Sequence, residues 1–208
     1  MLNKKIVIID SDICNVGSVQ RAIKKIGFEA KISRNKDDIN NSTHIILPGV
    51  GSFNEGIRSL EKFNLIEILK TNVKTNNKPL LGICLGMHLL AKKGFENGEN
   101  LGLNFISGEV KELSSLNNEL KLPHMGWNEV NFKKDALLEN IDNNKDFYFV
   151  HRYFFDTKQI NDIVATTSYG IEFPSIIKNK NIYGVQFHPE KSMKNGLKLL
   201  NNFIMFNA

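Results

Sequence analysis

Short, uninterrupted apolar runs alternate with segments of helical spacing through the first half of this chain, an order that few folds accommodate. Lys5 to Asp10 reads as a buried strand. Val16 to Gly27 carries Val19, Ala22, Ile23 and Ile26 at helical spacing and closes on glycine. Phe28 to Ile32 and His44 to Leu47 are further strands, the second stopped by Pro48-Gly49. A helical stretch opens at Asn54, breaks near Phe63-Asn64 and resumes from Leu65 to Lys74. Pro79 to Ile83 is the next strand, and Met87 to Lys93 the helix after it. Strands separated by helices pair through crossovers, so this order predicts an open, largely parallel sheet flanked by helices.

The second half changes character. Gly108–Leu113, Asn128–Phe132, Phe147–Val150, Ile163–Ser168, Ser175–Lys178 and Ile182–Gln186 are short strand candidates joined by turns. They predict an antiparallel extension that makes the sheet mixed. A last amphipathic helix is expected from Met193 to Phe206, with Leu197, Leu200 and Ile204 facing inward. With 208 residues and neither repeat nor linker, one domain over 1–208 is expected.

Composition removes several function classes. Met1 to Lys5 runs into an apolar stretch that is too short for a signal peptide and ends in a carboxylate. No segment approaches the roughly 20 apolar residues of a membrane span, so a cytoplasmic protein with no membrane role is expected. Two cysteines, Cys14 and Cys84, make no disulfide framework, and no Cys or His pair has metal-ligand spacing. Neither metal nor cofactor is expected. The net charge of +5 comes from scattered lysines rather than a basic patch laced with aromatics, which argues against nucleic acid.

Three segments carry chemistry. Gly82-Ile83-Cys84-Leu85-Gly86 follows an apolar strand and opens a helix. A nucleophile on such a tight turn needs glycine on both sides, and the helix N-terminus favours thiolate. The Leu85 amide then becomes an oxyanion donor. His188-Pro189-Glu190 supplies a base and a group to orient it, with Pro189 expected to keep the segment extended so that both side chains point one way. Pro48-Gly49-Val50-Gly51-Ser52-Phe53 lies at the carboxyl end of a strand, where open sheets bind ligands; the amide of Val50 or Gly51 is the expected second oxyanion donor.

Together with Asn15, Pro123-His124-Met125-Gly126-Trp127-Asn128, Tyr148 to His151 and Tyr183 to Ser192, these segments resemble the class I glutamine amidotransferases over nearly the whole chain, and most closely the glutaminase subunits of imidazole glycerol phosphate synthases. The resemblance implies a Cys84–His188–Glu190 triad that hydrolyses glutamine, with the ammonia passing to a (βα)₈-barrel partner to form imidazole glycerol phosphate in histidine biosynthesis. It implies that Gly49, Val50, Gly51, Leu85, His88, Glu96, Arg152 and Tyr153 surround the substrate, Glu96 holding its amino group. It also places Asn15, Pro123, Met125, Trp127 and Asn128 toward the partner, and Lys191 at the ammonia exit.

The chain departs from that pattern where His88 replaces a glutamine, where Arg152 replaces a small hydroxyl residue, and in the glycine-poor loop Ser11-Asp12-Ile13-Cys14. A paralogue that amidates a surface-glycan sugar is therefore a second reading. A silent regulatory subunit and a stand-alone cysteine peptidase are readings of other classes.

Overall fold

The computed structural model describes residues 4–157 and 159–207, so Met1 to Asn3 of the amino-terminal reading lie outside the described residues. The chain runs β1 (Ile6–Ile9), α1 (Val16–Lys25), β2 (Ala30–Ser33), α2 (Lys36–Asn41), β3 (His44–Gly49), α3 (Phe53–Lys62) and α4 (Leu65–Lys70), the last continued by one π turn to Thr75. It then forms β4 (Leu80–Cys84), α5 (Leu85–Leu89), β5 (Lys93–Gly94), β6 (Asn100–Leu101), β7 (Glu109–Glu112), β8 (His124–Phe132) and β9 (Lys145–His151). β10 (Tyr153–Asp156), β11 (Ile163–Ser168), β12 (Glu172–Asn179), β13 (Ile182–Val185) and α6 (Met193–Met205) complete it.

Nine strands form one mixed sheet in the order β2-β1-β3-β4-β13-β12-β11-β8-β9. The half from β2 to β13 is parallel and the rest antiparallel. β1, β3, β4 and β13 are buried at every position, which is why they read as unbroken apolar runs rather than alternating ones. One face packs α1 and α6 through Val19, Ile23, Leu200 and Phe203. The other packs α3 and α4 through Ile57, Leu60, Leu65 and Leu69. α3 starts where it does because Ser52 and Glu55 form a reciprocal capping box, which also ends the Pro48–Gly51 loop. No helix among the described residues is long and apolar enough to cross a membrane.

Three expectations need correction. A second, four-stranded sheet, β10-β7-β5-β6, stands apart from the first. The helix expected to reach Lys93 stops at Leu89, because incoming backbone takes the next carbonyls: Leu103 N–H donates to Leu89, Phe105 to Leu90 and Asn104 to Ala91. Strand β8 starts at His124, four residues before the expected Asn128, because its pairing with β9 runs from His124↔His151 onward.

Candidate active site

The nucleophile candidate stands at the β4–α5 junction with φ 53° and ψ −109°, a conformation that L residues avoid and that tertiary packing must impose. Glycine on either side makes the turn possible. A Cβ on Gly86 would come within 1.8 Å of the Leu47 carbonyl oxygen, and one on Gly82 within 2.6 Å of the Gly86 oxygen. The turn thus packs directly onto β3, where Gly49 pairs with Cys84.

Beside β4 lies β13, and the chain leaving β13 carries His188 to the same carboxyl end of the sheet. The segment does not stay extended as expected. Pro189 to Lys191 form a 3₁₀ turn, with proline in the first helical position where no N–H is needed. His188 precedes the turn, and Glu190 within it accepts from His188 Nδ1 at 2.8 Å. Ser192 ties this turn to β9, donating to the His188 carbonyl and accepting from the Tyr148 N–H. His188 Nε2 and Glu190 Oε2 are buried without a hydrogen-bond partner. Burial alone would lower the His188 pKa, but the Cys84 sulfur and the Glu190 carboxylate outweigh it and push it up to about 10. Such an imidazole holds its proton at neutral pH and stabilises a thiolate beside it.

A cavity of about 340 Å³ opens over the cysteine. Cys84, His188, Leu85, Val50 and Gly51 line its reactive end; His88, Glu96, Arg152 and Tyr153 line the rest. Val150 and His151 also line it, and sequence reasoning had not placed them there. Their own place in the Tyr148 to His151 stretch that carries the resemblance was the available signal. A larger depression, about 650 Å³, lies at the opposite, amino end of β1 and β2 among lysines and holds no cysteine or histidine.

The walls carry both charges that an α-amino acid needs. Arg152 is half-exposed and braced by Glu112 at 2.5 Å through Nε, while Glu96 accepts the Phe53 N–H at 2.7 Å. Burial first, and then the nearby Glu55 and Glu112 carboxylates, raise the Glu96 pKa against the pull of that N–H. His88 lies 2.7 Å from Gln186 Oε1, and burial pushes its pKa down to about 4, so a neutral imidazole stands where its charge would be expelled. One oxyanion expectation changes. The Val50 N–H turns away from the cavity and donates to the Ile13 carbonyl at 3.0 Å, the departing Ser11–Cys14 loop being its acceptor.

On the outer face of β8, Met125 (62% exposed) and Trp127 (46% exposed) are bare, which rules out a core role for the single tryptophan. Trp127 meets Tyr148 edge to face, and the Lys191 ammonium lies 5.6 Å from the same Tyr148 ring. Pro123 is exposed beside them, and so is Asn15 at the start of α1, which packs on the His188–Lys191 turn. Asn128 differs from expectation: its amide turns inward to His124 and the Ser168 carbonyl, away from the face that Trp127 presents.

Among the described residues, no three His, Cys, Asp or Glu side chains form a cluster that could hold a metal ion. A family model, glutamine amidotransferase class-I, matches residues 7–206. The chain is 48% identical to the imidazole glycerol phosphate synthase subunit HisH 2 of Methanococcus maripaludis, over 96% of this chain and 98% of that one. It is 44% identical to subunit HisH 1 of Campylobacter jejuni at the same coverage, and 44% identical to subunit HisH of Caldanaerobacter subterraneus over 94% and 95%. Among solved structures, a glutamine amidotransferase superposes with TM-score 0.73 at 19% identity, covering 96% of this chain and 97% of that one. The PurLQS structure from Thermotoga maritima gives 0.73 at 15%, covering 97% and 98%. With a cysteine on a strained strand–helix turn, a histidine–glutamate pair beside it and these matches over almost its full length, the chain belongs to the class I glutamine amidotransferases, among the HisH subunits of imidazole glycerol phosphate synthase.

Proposed function

We propose that Cys84, His188 and Glu190 hydrolyse glutamine and that the ammonia passes to a (βα)₈-barrel synthase subunit, forming imidazole glycerol phosphate in histidine biosynthesis. The observation that carries this reading is that Cys84 and His188, the latter held by Glu190, line one amino-acid-sized cavity together with Glu96 and Arg152. Glu96 takes the substrate ammonium and Arg152 the carboxylate, which directs the side-chain amide inward to the sulfur. The thiolate of Cys84 attacks the carboxamide carbon, and the Leu85 N–H at the start of α5 stabilises the oxyanion. His188 gives its proton to the departing ammonia and then takes one from water, which cleaves the thioester to glutamate. Glu190 keeps the His188 Nδ1 proton in place throughout.

The exposed Pro123, Met125 and Trp127 form the docking face for the barrel, with Lys191 beside Tyr148 at the route the ammonia takes. Glutamate release is measured with the organism's own histidine-pathway barrel subunit, with and without its nucleotide substrate. Strong stimulation by that substrate is expected, and Cys84→Ala abolishes release. Full activity of Cys84→Ala overturns the mechanism. Lack of stimulation, with Cys84 still labelled by a glutamine-like reagent, overturns the histidine-pathway partner in favour of a sugar-amidating one.

A further inference from the structure

Two further buried histidines, His151 in the cavity wall and His124 behind it, are not used by the proposed triad. His151 ends β9, and its Nδ1 lies 2.8 Å from the Tyr153 carbonyl. A carbonyl only accepts, so Nδ1 carries the hydrogen and Nε2 is a bare acceptor. That Nε2 lies 2.8 Å from His124 Nδ1, which must therefore donate. His124 Nε2 in turn accepts from the Asn128 amide at 3.2 Å, and the same amide donates to the Ser168 carbonyl at 2.9 Å. From Asn128 through the two neutral rings to the Tyr153 carbonyl, the hydrogens point one way.

The surroundings keep both rings neutral. His124 is stacked between Phe149 and Tyr169, with Phe173 edge-on. His151 lies against Phe149, Phe173 and the His124 ring, and the His88 and His188 imidazoles also oppose a charge on it. Neither ring has a carboxylate among these neighbours. A further proton on His151 would set N–H against N–H.

The bond to Tyr153 has a particular place in the fold. Between His151 and Tyr153 the chain leaves the nine-stranded sheet and joins the four-stranded one; at the step the Leu113 N–H donates to the Arg152 carbonyl at 3.0 Å, and the His151 ring donates to the Tyr153 carbonyl. Arg152 and Tyr153, both in the cavity wall, are the residues at that step. On the opposite side of β8, Met125 is exposed next to His124. We propose that His124 and His151 are positioning residues for the substrate: their hydrogen bond fixes the strand crossing and so the Arg152–Tyr153 wall, on the reading that this cavity binds glutamine.

The test uses the full chain and a chloroketone analogue of glutamine, which alkylates Cys84 with saturation. His124→Phe keeps a ring between Phe149 and Tyr169 but donates nothing to His151, whereas His124→Asn retains a donor near the Nδ1 position. His124→Phe is expected to raise the half-saturating concentration about tenfold, the scale of one hydrogen bond, and to leave the limiting alkylation rate within about twofold. His124→Asn should stay within about threefold of the unsubstituted chain, and alkylation by iodoacetamide should match in all three. Unchanged saturation in His124→Phe overturns the proposal. So does failure of His124→Asn to restore it, or a fall in both limiting rate and iodoacetamide reactivity, which marks general disruption. Absence of saturable labelling in the unsubstituted chain overturns the glutaminase reading itself, and the positioning role with it.

Discussion

His188 lies between the Cys84 sulfur and the Glu190 carboxylate, and its ionisation follows from them. Burial opposes its charge, yet the Cys84 sulfur and the Glu190 carboxylate raise its pKa to about 10. Glu190→Gln keeps an acceptor oxygen for Nδ1 but removes the charge that stabilises the imidazolium. Glutamine hydrolysis should fall by up to roughly 10⁴-fold, the loss seen when a triad aspartate becomes an amide. The sign of the pH effect is also set. With less stabilisation His188 loses its proton at lower pH, so the alkaline limb of the rate profile should move down. A profile recorded from pH 6 to 10 checks this, and an unmoved limb would exclude Glu190 from that role. His188, Glu190 and Cys84 were legible as candidates because each stands in a compact local motif. Arg152 and Glu96 were not derivable from local spacing, since their value depends on lining one cavity with Cys84.

At the scale of elements, the nucleophile turn is a contact between strands as much as a local bend. Gly86 lies against the backbone of β3, and the positive φ of Cys84 survives only because that contact is close. Gly86→Ala places a methyl group within 1.8 Å of the Leu47 oxygen, which must separate α5 from β3. Stability should drop by about 2 kcal/mol or more, and glutamate release should be lost even where the variant still folds. Urea unfolding and a glutaminase assay on the same preparation measure the two effects; normal hydrolysis by this variant would contradict the packing account. The apolar runs of β1, β3, β4 and β13 were readable because both their faces are covered. The two-residue strands β5 and β6 were not, since no periodicity exists over two residues and only their partners make them strands.

Across the whole molecule, buried neutral histidines make the fold sensitive to acid. His88 has a pKa near 4 in the folded chain against 6.5 for an exposed histidine, with burial the leading cause. Its folded pKa lies below its unfolded value, so the unfolded chain takes up the proton first. The stability is complete above pH 6.5 and is lost as pH falls toward 4, by roughly 3 kcal/mol for this one group. Burial lowers His124 and His151 as well, which deepens the same window. Urea midpoints should therefore fall steeply between pH 6.5 and 4.5, and His88→Gln should flatten the slope. Equal slopes for the two proteins would show that His88 is not the neutral group described.

The sequence by itself determined the fold class and the candidate reactive centre, for a physical reason: doubly buried strands require continuous apolar runs, and a strained nucleophile turn requires its glycines within two residues. Only the tertiary structure decided the rest. It alone turned the Val50 amide toward Ile13 and bent His188-Pro189-Glu190 into a 3₁₀ turn. It alone joined His124 to His151 across 27 residues of chain. Each of these depends on which backbone group or side chain arrives from a distant segment, and short-range spacing carries no record of that arrival.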